Sequence, residues 1–267
     1  MAHFIEVEKN VELFVEDIGE GHPVVFIHGW PVNHEMFEYQ MNELPQNGYR
    51  FIGIDLRGFG KSDKPAFGYD YDTLAHDVKV IVEYLQLESF FLAGFSMGGP
   101  ISIRYATKYA NDQFSKLILI GAAAPSFTQR GNYSYGMKKE EVDVLIEAIK
   151  EDRPAALTDF GSNFYHSNTS EALNGWFLNL GLRASAHGTI GCAKSLRDED
   201  LREELEHISV PTLILHGKKD QICDYEFSQA LEEGIHNSTL VPFEESGHGL
   251  IYDEKAKFNQ ELLSLLK

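Results

Sequence analysis

The ten residues FFLAGFSMGG (90–99) run an apolar stretch, Phe90 to Phe95, straight into a serine hemmed by Gly94, Gly98 and Gly99. An apolar run of this length reads as a strand covered on both faces, and the segment that follows, 98–110, has helical spacing. Gly94-Phe95-Ser96-Met97-Gly98 therefore places G-x-S-x-G at a strand-to-helix joint, the context that gives the pattern meaning. At such a joint the serine takes a strained backbone, and the flanking glycines let strand and helix approach without Cβ clashes. Its hydroxyl then stands at the C-terminal edge of the sheet, where open α/β sheets bind ligands. The helix behind it offers unpaired N–H groups and a positive dipole end to an oxyanion.

Working outward, PVVFIH (23–28), RFIGID (50–55), KLILIG (116–121) and TLILHG (212–217) are further near-continuous apolar runs. Segments 35–47, 73–87, 226–236 and 253–266 have helical spacing between or after them. Alternating strands and helices predict one mostly parallel α/β sheet with helices on both faces. HFIEVE (3–8) and ELFVED (12–17) alternate with period two and predict an antiparallel hairpin at its edge, giving eight strands with TLVPF (239–243). From 122 to 200 no buried-strand run occurs, only helix-like pieces such as EEVDVLIEAIKED and SEALNGWFLNL. The expected division is a core of residues 1–121 and 201–267 carrying a small helical cap, 122–200.

A serine hydroxyl at its free pKa is a weak nucleophile, so a base and an orienting carboxylate are needed. His248, in EESGHGL (244–250), follows TLVPF and precedes the last helix, on the same sheet edge as Ser96. His3, His22, His34, His76, His207 and His236 have no such placement. HGKKDQICD offers Asp220 three residues past a strand end and Asp224 farther on; Asp220, the nearer, is preferred. AAAPS (122–126), after KLILIG, holds no carboxylate. In HGWP (28–31), Pro31 has no N–H and biases Trp30 toward an extended backbone. That leaves the Trp30 N–H as one oxyanion donor, with the Met97 N–H as its partner. The His28 ring reads as a brace for this loop. Activity is expected to fall on the acid side as His248 protonates.

HGWP, DLRGFGKSDKP (55–65), GFSMGG, HGKKDQI (216–222) and SGHGL (246–250) together resemble the α/β-hydrolase fold, and within it the bacterial arylesterases called cofactor-free haloperoxidases. The resemblance spans 23–266. It implies a Ser96, Asp220 and His248 triad, hydrolysis of small esters without metal or organic cofactor, and a side reaction in which hydrogen peroxide yields a peracid that oxidises halide. Pro100 stands where a further glycine is frequent in the subgroup, in a first helical turn that tolerates proline. Dehalogenase-like and epoxide-hydrolase-like readings would need an aspartate at Ser96. DLRGFGKSD lacks phosphate-loop spacing.

In the 267 residues, 41 acidic against 23 basic side chains give a net charge of −18, which disfavours nucleic acid. The two cysteines, Cys192 and Cys223, form no CxxC pair. The N-terminus alternates apolar and charged residues where a signal peptide needs a continuous block, and no run is long enough to span a membrane. The expectation is a cytoplasmic serine hydrolase of small neutral esters, with room for homo-oligomers. Rival expectations are a lactonase or C–C bond hydrolase of the same fold, or a hydrolase-fold sensor of a small ligand. Phe127, Tyr133, Tyr135, Phe160, Phe164, Tyr165, Trp176 and Phe177 make 122–200 aromatic, and Trp30, Phe127, Phe160, Trp176 and Ile222 are the candidate pocket walls.

Overall fold

The computed structural model describes residues 1–109 and 114–266; position 110, the end of one predicted helix, lies outside them. Eight strands form one sheet: β1 (Ala2–Glu8), β2 (Val11–Ile18), β3 (His22–Ile27), β4 (Tyr49–Ile54), β5 (Phe90–Phe95), β6 (Phe114–Ile120), β7 (Thr212–Gly217) and β8 (Ser238–Phe243), in the order β1-β2-β4-β3-β5-β6-β7-β8. β1 and β2 pair antiparallel, β2 meets β4 antiparallel, and every later pairing is parallel. β1 keeps one wet face, as its alternation predicts, whereas every residue of central β5 is buried. Helices cover both faces.

The helices are α1 (Glu38–Gln46), α2 (Tyr71–Tyr84), α3 (Gly98–Lys108), α4 (Lys139–Gly161), α5 (Glu171–Leu182), α6 (Ala186–Asp198), α7 (Tyr225–Gly234), α8 (Leu250–Asp253) and α9 (Lys255–Leu266). The predicted helix 35–47 is a 3-10 turn followed by α1, and 73–87 is α2, which starts earlier because Asp70 accepts the Thr73 N–H and caps it. α4 breaks at Asp152, two residues before Pro154.

α6 has no counterpart in the periodicity reading. Its Gly188 and Gly191 are poor helix formers, yet each is there for contact. A Cβ on Gly188 would lie 3.1 Å from the Gly58 Cα, and one on Gly191 would lie 2.6 Å from the Tyr69 ring. The Ser185 N–H donates to the Gly58 carbonyl (2.8 Å) and the Ser195 hydroxyl to the Tyr69 carbonyl (2.9 Å), tying both ends of α6 to the loop after β4.

That loop opens with DLRGFGKSD, which apart from the exposed Lys61 and Asp63 is a buried knot. Asp55 accepts from the His34 ring (2.6 Å) and from the His34 and Lys61 N–H groups (2.9 and 2.8 Å). Arg57 makes a two-pronged bond to Asp77 on α2 (2.6 and 2.7 Å) and reaches Glu8 on β1 (3.1 Å). Gly60, at φ +50°, would drive a Cβ to 2.1 Å from Asp55 Oδ2. The motif's glycines thus serve close packing, and its charges staple three elements beneath the site. No helix among the described residues is long and apolar enough to cross a membrane.

Candidate active site

Ser96 opens the turn between β5 and α3 at φ +51°, in the left-handed region that costs an L-residue roughly 1–2 kcal/mol. The surroundings hold it there: its N–H donates to the Ile120 carbonyl (2.9 Å), and its own carbonyl accepts from Gly99 (2.9 Å) and Ala123 (3.0 Å). Neither flanking glycine is replaceable without movement. A Cβ on Gly94 would sit 2.2 Å from the Gly98 carbonyl oxygen, and one on Gly98 would sit 2.3 Å from the Ile27 carbonyl oxygen.

His248 follows β8 in a loop tied down by Gly249 N–H to the Phe164 carbonyl (2.7 Å) and Gly247 N–H to Asp253 (2.9 Å). Its ring lies against Phe95, the residue before Ser96 (4.9 Å between centroids), and against Phe164 (5.5 Å). Nδ1–H donates to Asp220 Oδ2 at 2.7 Å, which leaves Nε2 for proton transfer. Among the described residues the Ser96 hydroxyl makes no hydrogen bond to His248; contacts of this kind commonly tighten only with substrate bound.

Asp220, in the loop after β7, is fully buried and engaged at both oxygens. Oδ1 accepts the Ile222 and Cys223 N–H groups (2.8 and 2.9 Å), and Oδ2 faces His248 (2.7 Å) and His216 Nε2 (3.3 Å). Burial alone would raise this carboxyl, but His248 and His216 beside it hold it well below the usual carboxylate range. Three N–H groups thus donate to the carboxylate, and His216 Nε2 is a close fourth neighbour. Asp224 is elsewhere, accepting the Gly136 N–H at 2.7 Å.

Sequence reasoning missed His216. It is wholly buried in β7, its Nε2–H donates to the Cys223 carbonyl (2.8 Å), and its Nδ1 has no partner. The available signal was a polar ring ending an otherwise apolar strand, four residues before the aspartate. The Cys223 thiol, also missed, stands beside the Ser96 hydroxyl, and burial pushes it well above its ordinary range, so it stays protonated.

The loop carrying Trp30 comes close to Ser96: a Cβ on Gly29 would be 2.9 Å from the Ser96 Cβ. Neither the Trp30 nor the Met97 peptide N–H is engaged by another group among the described residues. The Trp30 indole N–H donates to the Thr189 carbonyl on α6 (3.0 Å). His28 braces the loop with both ring nitrogens: Nδ1–H donates to the Gly29 carbonyl (2.8 Å), and Nε2 accepts the Leu56 N–H (3.0 Å).

These bonds need a neutral ring, and burial pulls His28 down to about 4. In the unfolded chain the ring takes a proton below ~6.5, so between these values the unfolded state binds more protons than the folded one. Stability must fall as pH drops through that window. Denaturation midpoints at pH 6.5 and 4.5 should show the loss, and His28→Asn should flatten part of it. Equal slopes in both proteins would refute the assignment.

A cavity of about 580 Å³ opens between α4, α5 and the Trp30 loop. Trp30 and Phe160 are in its wall, with their rings edge to face at 4.9 Å. Phe127, Trp176 and Ile222 are not. Phe127 is buried, and its carbonyl accepts the Met137 N–H; Trp176 is half-buried with its edge toward Tyr252; Ile222 lies next to Asp220. Phe164, Tyr165 and Phe177 complete the aromatic part of the wall. No group of three or more His, Cys, Asp or Glu among the described residues is placed to hold a metal ion.

Residues 22–255 match the family model described as alpha/beta hydrolase fold. The chain belongs to the alpha/beta hydrolase family. An AB hydrolase superfamily protein of Bacillus subtilis is 58% identical to this alpha/beta hydrolase, over 97% of each chain. The solved structure of an esterase from Exiguobacterium antarcticum is 53% identical with a TM-score of 0.98, covering 99% of each chain. That of a bromoperoxidase from Bacillus anthracis is 33% identical with a TM-score of 0.96, covering 100% of this hydrolase and 99% of that chain.

Proposed function

We propose that this alpha/beta hydrolase cleaves small uncharged carboxylic esters through an acyl-enzyme on Ser96, with residues 122–200 as a cap over the site. The observation that carries the reading is the bond from His248 Nδ1 to a buried Asp220 at 2.7 Å, on the sheet edge where Ser96 is held in the left-handed region.

Ser96 Oγ attacks the acyl carbon while His248 Nε2 takes its proton. The oxyanion that forms meets the Trp30 and Met97 N–H groups and the positive end of α3, donors already aimed before charge develops. Collapse expels the alcohol, protonated by His248. Asp220 holds the imidazole in the tautomer that presents a bare Nε2 and stabilises the imidazolium. Water then gives its proton to His248 and its oxygen to the acyl carbon, releasing the acid and restoring the Ser96 hydroxyl. Hydrogen peroxide in place of water gives a peracid, which oxidises bromide in solution. The similarity to an esterase and to a bromoperoxidase supports both outcomes of one intermediate.

The test is stoichiometric labelling. A fluorophosphonate should abolish hydrolysis of p-nitrophenyl butyrate with one adduct per chain, and peptide mapping should find it on Ser96. Bromination of a phenol, driven by acetate and peroxide, should vanish in step. An adduct elsewhere would refute the nucleophile, and bromination that survives labelling would refute the peracid route.

A further inference from the structure

The cavity beside Trp30 is far larger than an acetyl group requires. At about 580 Å³ it falls in the ~300–1,000 Å³ range of sites that enclose drug-sized molecules. Its depth is apolar: Trp30, Val32, Leu157, Phe164 and Phe177 line it and are all buried. Its mouth is polar and exposed, with Ser162, Ser167, Asn168 and Asn174 among the residues there. Among the described residues no Asp, Glu, Lys or Arg lines it, and the imidazole of His166 stands at the exposed mouth, away from the buried walls. Two of its walls also border the reacting groups. Trp30 follows Gly29, which packs on Ser96, and the Phe164 ring lies 5.5 Å from His248.

We infer that this cavity holds the larger organic group of the substrate, an uncharged alkyl or aryl portion with its polar substituents turned to the mouth; the inference rests on the Ser96 esterase reading. A carboxylate tail reaching the buried walls would lose its water there with no cationic side chain among them, in a protein whose net charge is already −18.

Two glycines allow the cavity to be filled. Gly161 and Gly175 both line it, and a Cβ at either meets no atom within 4 Å. Gly161→Leu and Gly175→Phe are thus two independent fillings, should one fail to fold.

The experiment compares kcat/KM for p-nitrophenyl acetate, p-nitrophenyl octanoate, the p-nitrophenyl monoester of octanedioic acid and 1-naphthyl acetate. Wild type should favour octanoate or naphthyl acetate over p-nitrophenyl acetate by at least about tenfold, and the carboxylate-tailed ester should fall at least about tenfold below octanoate. A response to octanoate places the acyl chain in the cavity; a response to naphthyl acetate places the alcohol there. In a folded glycine variant the large-to-small ratio should drop at least about tenfold. No size preference, an unchanged ratio in a folded variant, or equal use of the carboxylate-tailed ester would overturn the inference. Turnover retained by Ser96→Ala would instead overturn the esterase reading, and the inference with it.

Discussion

Ser96→Ala should lose a factor on the order of 10⁶ in kcat on p-nitrophenyl butyrate, about 8 kcal/mol of transition-state stabilisation. In the proposed mechanism the residue supplies the bond that divides the reaction into two steps, and no other hydroxyl is held in that turn. Some catalysis over water should remain, because the Trp30 and Met97 N–H groups are untouched. The backbone adds a second expectation. Alanine at φ +51° keeps the left-handed cost, whereas glycine escapes it, so Ser96→Gly should be more stable than Ser96→Ala by about 1 kcal/mol. A more stable protein that is equally dead would show that the turn stores strain for the hydroxyl's sake. Residual turnover within tenfold of wild type would remove Ser96 from the mechanism.

Asp220→Asn is the second large loss, on the order of 10⁴ in kcat. An amide presents one acceptor and one donor group where the carboxylate accepts at both oxygens, so it must turn its NH₂ toward either the Ile222 and Cys223 N–H groups or the two histidines. In the second orientation His248 loses its acceptor and rotates or changes tautomer. In the first, buried backbone donors go unpaired, and stability should fall by about 1–3 kcal/mol. There is also a pH consequence. Asp220 is held well below the usual carboxylate range, so it stays ionised throughout the working range and adds no proton to the acid limb. The wild-type log rate should therefore fall with unit slope on that side. A slope of two, or an asparagine variant within tenfold of wild type, would contradict this role.

The strands were legible because burial on both faces writes itself as uninterrupted apolar runs, and β5 is the clearest case. Ser96, Asp220 and His248 were legible for a related reason: each follows such a run, so the topology brings them to one edge. Trp30 could be picked out because Pro31 has no N–H to offer. α6 was hidden because its glycines answer to Gly58 and Tyr69, partners more than a hundred residues away that periodicity cannot register. His216 was hidden because its value comes from the carboxylate it touches. The wall residues fared unevenly for the same reason: Trp30 and Phe160 face the cavity, whereas Phe127 and Trp176, equally aromatic, pack elsewhere. Aromatic composition says that a pocket or a core is present, but it does not say which rings belong to which.

The indole of Trp30 is bonded to α6, and α6 is bonded at Ser185 and Ser195 to the loop after β4. The donor proposed to meet the oxyanion is therefore guyed to the proposed cap as well as to the loop after β4. If the cap lifted at α6, that guy would slacken and the donor would lose its aim. The opposite side, between α4 and α5, meets the indole through the Phe160 ring, with no hydrogen bond to it among the described residues, and already carries the polar mouth.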